Sequence, residues 1–250
     1  MKHYIFLSFL LFILCFKPVK AQQFSNLVAL KGRSIEVYFS SDYKERAAAI
    51  ALRVEKALTY DQQLLGFKPT VTLLVLSDAD WNRYAAKGAV FGMPHYTDTK
   101  TLIVAAHDNA FWKSFVPPLD QLPINLREQI TTVYKTADGS LSMQAFFDLL
   151  AIHELGHAFH MQAGLIMQRK WMGELFVNIL LHTYVAENEP QSLPPLTLFP
   201  KMVVATGSSE FKYTSLNDIQ ERYNEIARNS PKNYGWFQCR WHAAAAEIYN

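Results

Sequence analysis

The sequence predicts an α+β fold, with a small N-terminal mixed sheet followed by a largely helical C-terminal part. Two observations lead to this prediction. Three short apolar stretches rich in strand-forming residues occur before residue 107. Long segments with helical apolar spacing follow from about residue 138. We therefore expect one domain in which the helices pack against a sheet that is formed first along the chain.

The first residues of the chain predict a cleavable signal peptide. Lys2 precedes the apolar run Tyr4–Phe16, and small residues follow at the spacing that a signal peptidase recognises, so cleavage is expected before Gln22. The run of about 13 residues is shorter than the roughly 20 residues that a membrane-spanning helix needs. These features predict a secreted or periplasmic protein that consists of a signal peptide at residues 1–21 and a single domain at residues 22–250, with no membrane span after signal removal.

The charge balance and the cysteine content exclude two classes of protein. Loss of the signal peptide removes three of the 24 basic residues and no acidic residue, which leaves 21 basic against 22 acidic residues. A nearly neutral chain has no electrostatic signature of binding to nucleic acid or to an anionic membrane. Cys239 is the one cysteine beyond the signal peptide, so an internal disulfide is excluded.

The first elements predict a β-α-β unit. Ile35–Phe39 alternates between apolar and polar residues and predicts a strand. Ser40, Ser41 and Asp42 offer N-caps for a helix that continues to about Leu65 and ends at Gly66. Thr70–Leu76 is almost entirely apolar, which is typical of a strand in the centre of a sheet.

Two less regular segments flank a third strand. Ser77–Thr99 contains glycine, proline and aromatic residues and predicts a loop, whereas Thr101–Ala106 predicts the strand. His107–Ala137 contains three prolines and either covers one end of the sheet or contributes to a substrate cleft. We favour the covering role because long covering segments are common around such sheets.

The next helix carries the residues with the strongest chemical signal. It is expected to begin at Asp138-Gly139-Ser140, to end at Gly164 and to be buried, because its apolar residues occupy several faces. It contains His153-Glu154-Leu155-Gly156-His157, a His-Glu-x-x-His motif. Two histidines four residues apart share one helix face and can bind a metal ion at about 2.0–2.1 Å. Glu154 then lies where it can accept a proton from a water molecule that the ion activates.

The alternative interpretation treats these histidines as hydrogen-bonded core residues. By composition, the motif has roughly a 1% chance of arising accidentally in this chain. We favour metal binding because ionisable side chains on a buried helix are costly unless they are paired or bind a metal. His160 lies too far along the helix to share a tetrahedral ion with His153, so we assign it a packing or supporting role.

A catalytic zinc ion needs a third protein ligand, and Glu174 is the candidate. It lies in the first turn of another helix that begins near Trp171. A lone acid there can also be a favourable partner of the helix dipole. However, two helices joined by a short turn would return Glu174 towards the motif.

The motif and the downstream glutamate resemble the gluzincin zinc peptidases, which include thermolysin-like and aminopeptidase-like enzymes. The resemblance implies one catalytic Zn²⁺ held by His153, His157 and Glu174, with Glu154 as the general base. Thermolysin-like members carry an acid that supports a ligand histidine, where this chain has Asn178.

Other zinc-peptidase patterns fit this sequence less well. Metzincins would need glycine at position 160 and histidine at position 163, where this chain has His160 and Ala163. Aminopeptidase-type members carry an upstream Gly-x-Met-Glu-Asn segment, which this sequence lacks. An endopeptidase is therefore favoured over an aminopeptidase.

The resemblance also implies features outside the motif. Zincin-type domains bind the substrate backbone along an edge strand, for which Thr101–Ala106 is the candidate. Gluzincins stabilise the oxyanion with a tyrosine or histidine from the later helices. Tyr234 is the first candidate, and it is equally interpretable as a packing residue; Tyr213, Tyr184 and His182 are further candidates.

The remaining segments predict helices and a connecting loop. Helices are expected at Leu216–Arg228 and Trp236–Tyr249. Glu189–Lys201 contains four prolines and predicts a connecting loop.

Three functional hypotheses follow from these observations. The first is a secreted zinc-dependent peptidase that acts on peptides or proteins. The second is a catalytically inactive binding module with the zincin fold that keeps the metal. The third is a metal-free helical scaffold.

Overall fold

A five-stranded mixed sheet forms in the first half of the chain, within residues 24–250, which the computed structural model describes. The predicted signal peptide and its cleavage site lie outside these residues. The sheet has the spatial order β1-β2-β3-β5-β4, in which β2, β3 and β5 are parallel and the two outer strands are antiparallel to their neighbours. The strands are β1 (Val28–Ala29), β2 (Glu36–Phe39), β3 (Thr72–Leu76), β4 (His95–Tyr96) and β5 (Thr101–Ala105).

Helices dominate the second half of the described chain, which confirms the predicted α+β class. None of the helices in residues 24–250 has the length and apolar character needed to cross a membrane. The helices are α1 (Lys44–Leu65), α2 (Asp78–Tyr84), α3 (Ala110–Lys113), α4 (Ile124–Tyr134), α5 (Gln144–Gln162), α6 (Lys170–Asn188), α7 (Leu193–Ala205), α8 (Leu216–Asn229) and α9 (Pro231–Tyr249).

The predicted β-α-β unit is present as β2, α1 and β3. Helix α1 ends at Gly66, whose φ of 67° is in the left-handed region that favours glycine. Its N-cap is Tyr43, which makes no side-chain capping bond, so the predicted caps are wrong. The Ser40 hydroxyl instead donates a hydrogen bond to Asp80, which ties the end of β2 to α2.

Strand β3 is central in the sheet, as its apolar sequence predicts. Leu73 and Val75 belong to a core cluster that includes residues of α1, α5 and α6. Leu74 and Leu76 belong to a cluster on the opposite face, which includes Trp112. Because successive side chains of a strand point to opposite faces, a strand that is buried on both faces must be apolar throughout.

The assignment of Thr101–Ala106 as the edge strand is wrong. Strand β5 lies between β3 and β4, so β4 is the outer strand on that side. Strand β4 falls in Ser77–Thr99, which was predicted to be a loop and which also contains α2. The Ser77 side chain caps α2 by accepting a hydrogen bond from the Asp80 amide at 3.4 Å. A two-residue strand is too short to give a recognisable alternation.

His107–Ala137 has the covering role favoured above, but it covers one face of the sheet and not one end. It forms α3 and α4 and buries Trp112 and Ile130 in the second core cluster. Helix α5 starts later than predicted, because Asp138 to Ser140 forms a tight turn in which Gly139 has a φ of 85°. The Asp138 carboxylate accepts a hydrogen bond from the Ser140 amide at 3.0 Å.

The predicted connecting loop Glu189–Lys201 is also wrong, because most of it is helical. A single 3₁₀ turn, Pro190–Ser192, leads directly into α7. Pro194 and Pro195 lie in the first turn of α7, where an amide donor is not needed. Pro200 lies inside the helix, is buried and is tolerated where α7 packs against α9.

The last two helices pack as a pair. Helix α8 agrees with the predicted boundaries, whereas α9 begins earlier than Trp236, at Pro231 in its first turn. Cys239 is buried in α9, and burial raises the pKa of its thiol to about 12. A third core cluster joins the two helices and includes Trp236 and Trp241.

Candidate metal centre

Helices α5 and α6 approach closely at the histidine motif. A Cβ atom built on Gly156 would lie 2.9 Å from the Cβ atom of Val177, so a larger residue would push α6 away. On α5, His153 and His157 lie one turn apart, with their ring centroids 5.1 Å from each other. The close approach brings the beginning of α6, which carries Glu174, next to these two rings.

The Glu174 carboxylate faces both imidazoles. Its Oε2 atom lies 3.4 Å from the Nε2 atom of His153 and 3.7 Å from that of His157. Ligand atoms at about 2.0–2.2 Å from a tetrahedral ion lie about 3.3–3.6 Å from one another. The structure therefore brings the three predicted ligands together at about the spacing that a tetrahedral metal ion requires.

Glu154 forms a second grouping with the two histidines. The ligand atoms of His153, Glu154 and His157 all lie within 4.8 Å of one another. We favour Glu174 as the third ligand, because its oxygen matches the tetrahedral spacing to both rings. Glu154 is then a second carboxylate beside the two histidines.

Glu174 is ionised, as a carboxylate that binds a metal ion must be. Burial alone would raise the pKa of this carboxyl, but the neighbouring His153 and His157 outweigh burial and hold its pKa well below the usual range. The carboxylate is therefore ionised and acts only as an acceptor.

Asn178 fixes the orientation of His153. The Asn178 side-chain amide donates to the backbone carbonyl of Glu174 at 2.9 Å, which identifies its Nδ2 atom. Its Oδ1 atom lies 3.2 Å from Nδ1 of His153 and can only accept, so His153 carries its proton on Nδ1. The Nε2 lone pair of His153 is thereby free to bind a metal, and the uncharged Asn178 orients the ring through this hydrogen bond.

His160 holds His157 in the corresponding way. The Nδ1 atom of His157 lies 2.9 Å from Nε2 of His160. Burial lowers the pKa of His160, with a further contribution from His157, so a neutral His160 ring can accept the proton on His157. The supporting role predicted for His160 thus corresponds to a direct contact with the candidate ligand His157.

Glu154 has the proton affinity of a base that works near neutral pH. Burial raises the pKa of its carboxyl to about 7, His157 opposes this shift and Glu174 adds to it. A carboxylate with such a pKa can take up and release a proton at pH 7.

Tyr234 is engaged in a network of hydrogen bonds that leads to Glu174. Burial raises its pKa, followed by the charge of Glu174 and, more weakly, that of Glu154. Its hydroxyl lies 2.8 Å from the hydroxyl of Tyr223 and accepts a hydrogen bond from Gln238 at 2.7 Å. Tyr223 and Gln238, which the sequence did not single out, also reach Glu174 directly.

The other tyrosines considered as oxyanion donors are engaged elsewhere. The Tyr213 hydroxyl donates to Glu225 at 2.7 Å, and the Tyr184 hydroxyl donates to Glu189 at 2.9 Å. The ring of His182 packs against Tyr249.

Two further aromatic side chains border the centre and were also missed by the sequence interpretation. The His242 ring lies 5.9 Å from that of His153, and burial lowers the His242 pKa to about 3, so the ring is neutral. The Tyr96 hydroxyl on β4 is buried and has no hydrogen-bond partner within residues 24–250. Burial raises the pKa of Tyr96, and the charge of Glu154 raises it further.

These contacts create a largely buried site in which three potential ligand atoms converge beside a second carboxylate, that of Glu154. Comparisons with known protein families, with curated proteins and with solved structures found no match to this chain.

Proposed function

We propose that this chain is a secreted zinc-dependent peptidase of the zincin type, most similar to the gluzincins. The observation that supports it best is the position of the Glu174 carboxylate at tetrahedral ligand spacing from both His153 and His157, with Glu154 adjacent. A structural histidine pair would not require a buried carboxylate facing both rings.

The donor set favours zinc. Two imidazole nitrogens and one carboxylate oxygen form a common ligand set of catalytic zinc sites, which leave one position open. When bound, the ion polarises the scissile carbonyl and acidifies water. His153 and His157 bind through Nε2, because their Nδ1 atoms donate hydrogen bonds to Asn178 and His160, respectively.

Glu154 carries out the proton transfers in this mechanism. Its carboxylate accepts a proton from the attacking water and passes it to the nitrogen of the leaving amine, so that the carboxylate is regenerated. Tyr234 is the proposed donor to the oxyanion; to act, its hydroxyl proton must turn from Tyr223 towards the substrate.

The substrate is a peptide or protein. The outer side of β4 replaces Thr101–Ala106 as the candidate edge, because an extended peptide can add to an outer strand. We propose an endopeptidase, because the sequence lacks the segment that captures a substrate amino terminus in aminopeptidase-type members.

A second candidate is a zincin-type binding module that holds the metal without hydrolysing peptides. The hydrogen bonds of Tyr234 favour it, because they leave no free donor for the oxyanion unless they rearrange. Both candidates share the metal centre and differ in turnover.

Substitution of the general base tests the proposal. Glu154→Gln should keep one equivalent of zinc and lose peptidase activity by about 10²–10⁴-fold, because the amide cannot accept the proton. Zinc content and cleavage of a broad peptide library would be measured side by side, with the exposed Glu247→Gln as the matched control.

The outcomes separate the candidates. Zinc-loaded wild type that cleaves no peptide in the library would favour the binding module. An active wild type without metal, or a fully active Glu154→Gln variant, would contradict the peptidase mechanism.

A further inference from the structure

We propose that Tyr223 and Gln238 are positioning residues that, together with Tyr234, clamp the Glu174 carboxylate in the orientation needed for metal binding. The inference rests on the proposed function and adds residues to that same site. We call this set of three residues the carboxylate clamp.

The clamp and Glu174 form a closed ring of hydrogen bonds. The Tyr223 hydroxyl donates to Oε1 of Glu174 at 2.6 Å, and the Gln238 side-chain amide donates to Oε2 at 3.1 Å. The ring closes through Tyr234, whose hydroxyl lies 2.8 Å from that of Tyr223 and 2.7 Å from Nε2 of Gln238.

The directions of these bonds are determined by Glu174. An ionised carboxylate only accepts, so the Tyr223 proton points to Glu174 and the Tyr223 oxygen is left to accept from Tyr234. The two amide protons of Gln238 are then divided between Tyr234 and Glu174. Every donor in the ring has one acceptor, so the arrangement is fully satisfied.

The clamp assigns different roles to the two oxygens of Glu174. Oε1 is bound by the short hydrogen bond from Tyr223, whereas Oε2 is the atom that faces His153 and His157. The short contact from a hydroxyl to a carboxylate is of the stronger, charge-assisted kind. Glu174 therefore presents Oε2 to the metal, while Tyr223 anchors Oε1 and Gln238 donates a further hydrogen bond to Oε2.

The anchor comes from a distant part of the chain. Tyr223 lies in α8, directly after a residue with non-helical dihedral angles, Arg222, and Gln238 lies in α9. Glutamate has several rotatable bonds, and fixing it in advance reduces the entropy lost when it binds an ion. The clamp thus couples the last two helices to the ligand on α6.

Zinc affinity tests the clamp. The full chain would be loaded with zinc, and its dissociation constant would be measured by competition with a chromophoric chelator. Tyr223→Phe should weaken zinc binding by about 10–100-fold, the usual effect of losing a partner that orients a ligand. Gln238→Met should weaken it in the same direction and gives a second measurement if Tyr223→Phe does not fold.

Tyr213→Phe is the matched control. It removes a hydrogen bond of similar length from a tyrosine just before α8 to a carboxylate of that helix, but the acceptor is Glu225, not the candidate ligand. Its zinc dissociation constant should stay within about twofold of wild type. Thermal unfolding of the metal-free proteins would show how much stability each substitution removes.

The outcomes distinguish the clamp from the proposed function. If wild type binds zinc and Tyr223→Phe binds it equally well, the clamp is wrong and the metal centre stands. An equal loss of zinc affinity in Tyr213→Phe would likewise overturn the clamp. A wild type that takes up no zinc would overturn the proposed function and the clamp with it.

Discussion

Glu174 and Asp61 are both buried carboxylates, but their surroundings differ. Glu174 faces two histidines and accepts hydrogen bonds from Tyr223 and Gln238. Asp61, on α1, has no hydrogen-bond partner for either oxygen among residues 24–250. Burial of an unpaired carboxylate is costly, and it raises the pKa of Asp61 to about 7.

Asp61 should therefore destabilise the protein at neutral pH. Its pKa is about 3.9 in an unfolded chain, so stability should fall as the pH rises from about 4 to 7, and the loss should be complete above pH 7. Asp61→Asn should raise the free energy of unfolding by roughly 2–4 kcal/mol at pH 8 and leave it nearly unchanged at pH 4. Urea unfolding at both pH values would measure this.

Asp148→Asn provides a control of opposite sign. Asp148 is paired with Arg46, whose guanidinium donates to it at 2.9 Å. Removing the negative charge there should destabilise the protein at pH 8. A destabilised Asp61→Asn variant at that pH would contradict the unpaired-carboxylate argument.

At the residue scale, the sequence pointed to the candidate ligands and to Asn178 and His160 beside them, but not to Tyr223 and Gln238. The two histidines and Glu154 follow from a spacing that is local to one helix. Tyr223 and Gln238 lie 49 and 64 residues from Glu174. Their contacts depend on how α8 and α9 pack, and tyrosine and glutamine are ordinary residues of partly exposed helix faces. No local pattern could have identified them.

At the scale of elements, the spacing of α5 and α6 depends on Gly156. Gly156→Ala would place a Cβ atom 2.9 Å from the Val177 side chain and 3.3 Å from its backbone Cα atom, so the helices must separate. We expect a loss of about 1–3 kcal/mol in stability, with weaker zinc binding because Glu174 moves with α6. Chemical unfolding and chelator competition would measure the two effects.

Gly235→Ala is the matched control for this element. Gly235 lies in α9, and a Cβ atom there would meet nothing within 4 Å. Alanine should stabilise this helix by about 0.5–1 kcal/mol. If both substitutions stabilised the protein, the close approach of α5 and α6 would not limit the size of residue 156.

Elements with a strong periodic or apolar pattern were predicted well, and those set by packing were not. The apolar run of β3 and the helical pattern of α8 correspond to observed elements. Helix α7 forms despite its three prolines: two of them occupy the first turn, and the third, Pro200, is buried inside a helix that packs against α9. Tertiary packing overrode the local signal in that case.

At the scale of the whole molecule, the candidate centre connects parts of the chain that are far apart in sequence. His153 and His157 belong to α5, which packs under the sheet, whereas the carboxylate clamp belongs to α8 and α9. Glu174 on α6 contacts both sets. A bound ion would therefore restrain both regions together.

Removal of zinc should lower the melting temperature. Zinc at 100 times its dissociation constant stabilises the folded state by about 2.7 kcal/mol, which corresponds to roughly 5–10 °C for a chain of this size. Differential scanning calorimetry with and without a chelator would measure the shift. His153→Ala should show no chelator effect, and a wild type unaffected by the chelator would contradict the metal centre.

The reactivity of the buried Cys239 thiol can be used to measure how often the carboxylate clamp opens. Cys239 directly follows Gln238 in α9, and its high pKa leaves little reactive thiolate in the folded state. Alkylation at this position therefore requires transient opening of α9, which also separates Gln238 from Glu174. Mass spectrometry would measure the rate at which a thiol reagent alkylates the peptide that contains Cys239. This rate reports how often the carboxylate clamp opens, and it needs no engineered label.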